Sequence, residues 1–426
     1  MSSRTTLGLR EGLSYGLLGL PLAFVALPLY VLLPHHYAQA YGVPLAALGA
    51  VLLATRLADA FIDPLIGRLS DWLYQRSLMS VWTAAIVAAI VLALGFGSLF
   101  FPPTGSPTTL LAWAAGWLLL TYAAYSLLTV THQAWGAMLG GDEATRARIV
   151  GWREGLGLVG VVLASVLPTW LGLSTTTAVL ALALGLACWT WTLAPQPGAR
   201  AVRAVTASSD LWGPWRNAAF RRLITVFMLC GIANAVPATL VLFFVQDRLR
   251  APESWQPVFL GTYFIAAAVS IPLWLRLVQR IGLASSWRMG MAASVVVFAG
   301  AFTLGAGDTL AFLVVCVLSG LMLGSDLALP SALLAGVIDD AGDRGRAEGA
   351  YFGWWNFATK LNLALAAGLS LPLLAALGYT PGTTDPRALA QLSAAYCLVP
   401  CGLKALAAWL QWRLHSPPLI PSKEVT

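Results

Sequence analysis

Twelve runs of about twenty or more apolar residues divide this chain. Such runs constrain folding more than any other feature, because a backbone without water must satisfy its polar groups within each segment. They span 13–35, 43–67, 78–101, 108–135, 148–171, 174–194, 220–246, 256–278, 286–305, 309–338, 350–378 and 388–413. These runs are too long and too continuous for the alternating strands of a β-barrel. The expectation is an all-α integral membrane protein. The first run is too long for the core of a cleaved signal and has no small-residue cleavage site after it, so it reads as the first membrane helix.

Composition supports this reading: of 426 residues, 58% are hydrophobic and 10% charged, against roughly 45–50% and about 25% in soluble domains. The net charge of +7 arises from 25 Lys and Arg against 18 Asp and Glu. In so apolar a chain that excess fits loops facing anionic lipid, and nucleic acid is not an expected partner. The cations are also unevenly placed. Nineteen lie on the side that holds both termini and three, Arg248, Arg250 and Arg387, on the other, while Arg56, Lys360 and Lys404 fall within spans. This bias supports twelve spans and predicts that both termini are cytoplasmic.

The polar stretch 195–219, with Pro195, Pro197, Gly198, Ser208, Ser209 and Asp210, separates six spans from six. The expected organisation is an N-terminal six-helix bundle over 1–194, a cytoplasmic linker over 195–219 and a C-terminal six-helix bundle over 220–426. The loops after spans 4 and 10 each carry R-x-R-x-x-G behind an acidic start, at Arg146-Ala147-Arg148 and Arg344-Gly345-Arg346, 198 positions apart. That placement points to a parallel repeat, as in transporters that rock two bundles about a midplane site.

Ionisable groups within spans are costly, about 2.5–3.5 kcal/mol each on insertion scales, so each is a functional candidate. Arg56, Asp59 and Asp63 lie three and four residues apart, on one stripe of the second span. Two carboxylates a turn apart can share a small cation or hold a proton, while Arg56 serves as counter-ion. In the matching span of the second half, Pro272 stands where Pro64 does, but Ala267 and Ile271 replace the acids. Carboxylates are therefore not an architectural need of that helix. Lys360 lies too deep to snorkel and calls for an acid across the bundle. Lys404, nearer a helix end, reads as a snorkelling anchor. Asp326, between Gly324 and Pro330, can face a cavity or lock two helices. His132, with Gln133, Thr131 and Trp135, forms an unusually polar patch that could relay protons or hold a hydroxylated substrate. Five cysteines within apolar runs imply no disulfide framework. Cys397 and Cys401, one turn apart, read as packing residues rather than ligands of a soft metal.

The segment Arg56-Leu57-Ala58-Asp59-Ala60-Phe61-Ile62-Asp63-Pro64-Leu65-Ile66-Gly67 resembles the R-x-x-D-A-x-x-D-P-x-x-G of the glycoside–pentoside–hexuronide:cation symporters, within the major facilitator superfamily. Gly67-Arg68-Leu69-Ser70-Asp71, Trp135-Gly136-Ala137-Met138 and Gly349-Ala350-Tyr351-Phe352-Gly353-Trp354 before Lys360 carry the likeness further. The resemblance implies the major facilitator fold and a cation-coupled symporter of a sugar, glycoside or related small polar solute. It implies H⁺ or Na⁺ coupling, with Asp59, Asp63, Arg56 and Lys360 at the cation site and Asp59 and Asp63 as metal ligands if the ion is Na⁺. Arg153 matches an arginine of the sugar site, and His132, Trp135, Gln133 and Asp326 complete the expected substrate contacts.

It further implies a multi-pass protein of the bacterial inner membrane, a monomer in contact with lipid, with no cofactor beyond the coupling ion. Two departures bear on specificity. Ile62 stands where a well-known member of the family has an asparagine, which removes a neutral oxygen ligand and favours H⁺. Ala23 and His132 stand where sugar-binding aspartates are expected, which leaves open a carrier of an organic anion or lysolipid on the same scaffold. An integral-membrane enzyme is the remaining alternative, opposed by the lack of H-E-x-x-H, clustered His/Cys ligands and a phosphate-binding glycine loop. No catalytic residue is expected.

Overall fold

The computed structural model describes residues 8–198, 210–376 and 378–415. Part of the predicted 195–219 linker, with Arg200 and Arg203, and the cations Arg4 and Lys423 lie outside the described residues. Twelve membrane-crossing helices are present among them. α1 is assembled from Leu9–Gly16, Gly19–Leu27, a π-helical turn Pro28–Leu32 and Leu33–Tyr41. Pro28 has no N–H to give, and the wider turn beginning there accommodates the missing bond. α2 is Leu45–Arg76, α3 Leu78–Phe100 and α4 Pro107–Leu139. α5 and α6 are the two arms of Glu143–Thr192, divided at Gly172, whose φ of 76° and ψ of 167° turn the chain back. After a single turn at Gly213–Arg216 come α7, Ala218–Phe243 with a π-helical end Phe244–Arg248, and α8, Gln256–Ile281. α9 is Leu283–Ala301, α10 Thr309–Asp340 and α11 Glu348–Ala376. α12 comprises Pro386–Ser393, the π-helical Ala394–Leu398 and Val399–His415.

Length and composition alone mark ten of these helices as able to cross a membrane. The other two follow from the same chemistry. Glu143–Thr192 is long enough for two spans once Gly172 folds it back, and α2 is apolar apart from Arg56, Asp59 and Asp63 along its middle. Many large side chains face outward, including Leu53, Phe61, Leu65, Leu182 and Val296. Such exposure is stable in hydrocarbon, where the hydrophobic effect no longer drives burial.

Each half has its own core. Tyr15, Phe24, Phe96, Trp135 and Trp191 pack within α1–α6, and Phe244, Phe259, Phe312 and Tyr396 within α7–α12. A further cluster joins the halves by packing Ile66, Val130 and Val150 with Trp274, Tyr351 and Phe352. α2 lies against α11 with no room for side chains at the closest point. A Cβ on Gly67 would strike the Gly349 carbonyl, and one on Gly353 would meet the backbone of Asp63 and Pro64.

Polar bonds between the halves concentrate on the arginine-rich face. The Asp71 carboxylate accepts from the Gly349 and Ala350 N–H groups at 2.6 and 2.9 Å, on the first turn of α11. Arg344 donates to the Met138 and Leu139 carbonyls at the end of α4, each at 3.0 Å. Its repeat counterpart Arg146 lies over Gly336 in the last turns of α10 and 3.7 Å from Asp339. The Leu283 N–H donates to Glu143 at 2.7 Å. Among the described residues no hydrogen bond or ion pair joins the halves at the opposite face. This conformation is sealed on the arginine-rich side.

Candidate functional site

Halfway along α2, Asp59 and Asp63 point from one stripe toward α4 and α11. They are 4% and 0% exposed. Lys360, twelve residues into α11, ends between them, with Nζ 2.7 Å from Asp59 Oδ2 and 2.8 Å from Asp63 Oδ1. Ser126 of α4 closes the group: the ammonium donates to Ser126 Oγ at 2.8 Å, and that hydroxyl donates to Asp59 Oδ1 at 3.1 Å. All three ammonium donors, the Ser126 hydroxyl and three of the four carboxylate oxygens are thereby used. Asp63 Oδ2 is buried with no partner. Two carboxylates and one ammonium leave one negative charge, in a place where charge is costly.

Arg56 does not serve as counter-ion to these acids. Its guanidinium lies over the Tyr30 ring of α1, 3.8 Å from the centroid, in a cation–π contact. Spacing along α2 puts Arg56 on the acid stripe, but the long side chain swings to the aromatic face while Lys360 takes the carboxylates. Ser126 and Tyr30 carry no motif in the sequence. Their roles arise only from helix packing.

The polar patch on α4 separates into three environments. His132 is fully buried, stacked on Tyr15 with ring centroids 4.3 Å apart, and its Nε2 lies 2.8 Å from the Tyr15 carbonyl. The Tyr15 hydroxyl donates back to the His132 carbonyl at 3.1 Å. This reciprocal pair ties α1 to α4. Trp135 is buried against Tyr74, Trp82 and Trp191, and its Nε1 donates to the Pro195 carbonyl at 2.9 Å. Its ring presents no open face for a sugar. Gln133 instead crosses between the halves, accepting from Asn356 of α11 at 2.8 Å.

Arg153 lies beside Glu154, 2.6 Å away, and is 7% exposed. With Tyr15, Gln133, Ser331 and Phe352 it lines a space of only about 10 Å³, too small for a substrate in this conformation. Asp326 is distant in sequence from these groups and belongs to a separate cluster in the second half. Lys404 is 2.8 Å from Asp326 Oδ2, to which Asn234 also donates at 3.0 Å. Trp287 Nε1 and Cys230 Sγ donate to Oδ1 at 2.9 and 3.3 Å. So many donors fix Asp326 as a lock and leave it no free oxygen for a sugar hydroxyl. Lys404 does not snorkel: it is 4% exposed and also donates to Ser294 at 3.0 Å.

No group of three or more His, Cys, Asp or Glu side chains able to hold a metal occurs among the described residues. Asp59 and Asp63 with Ser126 could offer oxygen to one small cation, with Asp63 Oδ2 its free ligand. Ile62 contributes none. The Cys401 thiol donates to the Val295 carbonyl at 3.4 Å, and Cys397 is buried.

Residues 14–416 match the family model described as MFS/sugar transport protein. The chain is 22% identical over 434 residues to YagG of Escherichia coli (strain K12), named as a glycoside/cation symporter, covering 94% of this chain and 90% of that protein. A bacterial homologue of the iron transporter ferroportin, solved in an outward-facing state, superposes with a TM-score of 0.72 at 16% identity, over 96% of this chain and 99% of the other. The E. coli fucose:proton symporter FucP superposes with a TM-score of 0.70 at 14% identity, over 95% and 98%. At these identities the likeness establishes the fold.

Proposed function

Since the chain belongs to the MFS/sugar transport protein family, a family of transporters and not of enzymes, we propose that it couples movement of a sugar, glycoside or related small polar solute to a flow of H⁺ or Na⁺. The observation that carries this reading is the junction of Lys360 with Asp59, Asp63 and Ser126. It joins α11 of one half to α2 and α4 of the other. A cation bound there therefore changes how strongly the halves hold each other.

One monovalent cation neutralises the net negative charge of the group, and Asp63 Oδ2 is the oxygen free to receive it. A proton or ion on Asp63 competes with Lys360 for that carboxylate and loosens the grip across the interface. Coupling follows if substrate binds the two arrangements unequally. Ile62 beside the acids supplies no oxygen, which favours the proton over sodium. The face sealed by Asp71, Arg146 and Arg344 is the cytoplasmic one by the arginine bias, so this conformation receives solute from outside. In this reading the protein works as a monomer, surrounded by lipid in a bacterial inner membrane, with a bundle boundary near 195–219.

Transport into proteoliposomes tests the assignment. A panel of glycosides would be offered under an imposed pH gradient or an imposed Na⁺ gradient, with the unmodified chain and Asp63→Asn. The expected result is accumulation driven by one gradient and lost in the variant, with solute exchange retained. Undiminished accumulation by Asp63→Asn would remove the cluster from the coupling mechanism.

A further inference from the structure

The second half contains a cavity of about 300 Å³ between α7 and α8, floored by α9, α10 and α12. Its walls are mostly apolar, and five aromatic side chains, Phe259, Tyr263, Phe264, Phe298 and Tyr396, contribute to them. One corner is polar. There Lys404, Ser294 and Asn234 all reach the cavity, Lys404 and Asn234 held by Asp326 behind them and Ser294 accepting from Lys404.

The charges in that corner cancel. Asp326 takes four donors, and the Lys404 ammonium spends two of its three on Asp326 and Ser294. Among the described residues the third ammonium N–H, the second Asn234 amide N–H, the Ser294 hydroxyl proton and the Asn234 side-chain carbonyl are engaged by nothing, so the corner pairs donors with an acceptor. Such a pair suits a hydroxyl or similar uncharged polar substituent. An ion would meet no net opposite charge and would lose its hydration. An apolar cavity of about 150 Å³ accommodates one benzene, so this one is sized for a ring system with a substituent. Its wall also reaches the interface between the halves: Phe264 and Leu323 line the cavity and pack in the cluster that joins Leu158 of α5 to Ala267 and Ile271 of α8.

We propose that this cavity is a binding subsite for an uncharged aromatic group bearing a polar substituent, and that the transported solute is a glycoside whose aromatic aglycone enters it while the sugar lies between the halves. The glycoside part rests on the transport reading above; the aromatic subsite rests on the cavity alone. It places specificity for the aglycone wholly within the second half, apart from the Asp59–Lys360 group that bridges the two halves.

The purified full-length chain would be titrated with 2-naphthol by calorimetry, beside Ser319→Phe, which fills the cavity from α10, and Ala238→Trp, which fills it from α7. Melting curves without ligand check that each variant folds. Binding by the unmodified chain, weakened at least tenfold in a folded variant, is expected. No binding, or binding equal in all folded forms, overturns the proposal. In proteoliposomes, 4-nitrophenyl glycosides should compete for entry at least tenfold better than methyl glycosides, and filling the cavity should bring the ratio near one. Transport of both without that preference overturns the aglycone assignment. Naphthol binding that is lost on filling, in a protein that carries no glycoside, supports the aromatic subsite and refutes the sugar reading instead.

Discussion

Lys360 Nζ stands 2.8 Å from Asp63 Oδ1, while the second oxygen of the same carboxylate is buried without a partner. The ammonium thus neutralises only part of a two-carboxylate group and leaves a defined place for one more positive charge. Removing either member has different consequences, and the difference can be measured.

Lys360→Met should destabilise the fold, because it leaves two buried carboxylates facing each other. Breaking a buried pair in this way costs about 3–5 kcal/mol. A melting midpoint several degrees below that of the unmodified chain is expected, with partial recovery in Lys360→Met combined with Asp63→Asn. Equal melting of the single and double variants would show that the carboxylates already shed their charge by taking up protons.

Substitution of His132 should separate structure from transport. His132→Leu loses the bond to the Tyr15 carbonyl, worth about 1–3 kcal/mol when a buried group is left unpaired. The expected outcome is a lower melting midpoint with the pH dependence of uptake unchanged. A displaced pH profile in the folded variant would return His132 to the proton path.

At Gly67 a side chain has nowhere to go, since a Cβ would run into the Gly349 carbonyl across the interface. Gly67→Leu should therefore disfavour the form sealed on the arginine-rich face. A cysteine introduced at Arg148 on that face, in a background without native cysteines, should react with a polar maleimide several-fold faster in the Gly67→Leu protein. Unchanged labelling would mean that the α2–α11 contact relaxes without opening.

In the second half, Lys404→Met should cost about 3–5 kcal/mol by stranding Asp326 among neutral donors. Adding Asp326→Leu should restore part of the loss, since a matched apolar replacement removes both buried charges. Melting of the single and double variants in parallel reads this directly. A double variant no more stable than the single would show that Asn234, Trp287 and Cys230, left without their acceptor, carry most of the penalty.

The hydrophobic segments, the break near Gly172 and the acidic stripe on α2 are legible in the sequence because each depends on near neighbours along the chain. Partner choice is not. Arg56 sits at the right spacing to hold Asp59, yet Tyr30, twenty-six positions earlier, takes its guanidinium once α1 folds against α2. Lys404 lies near enough to a helix end to snorkel, and only the packing of α9, α10 and α12 shows it turned inward to Asp326. His132 and Trp135 are polar or amphipathic residues in a span, a pattern shared by sites and by internal locks. Here Tyr15 and Pro195, remote in sequence, provide their hydrogen-bond partners. The duplicated R-x-R-x-x-G loops were visible as a repeat, but not the fact that each reaches across to the other half.

That crossing has a kinetic meaning. Arg344 holds the end of α4, and Arg146 lies against the end of α10. With the work divided between two loops, loss of one arginine leaves the face still fastened by the other. The fastening is therefore graded: weakening one loop should quicken release without abolishing the resting state, and loss of both would leave the seal to Asp71 and Glu143.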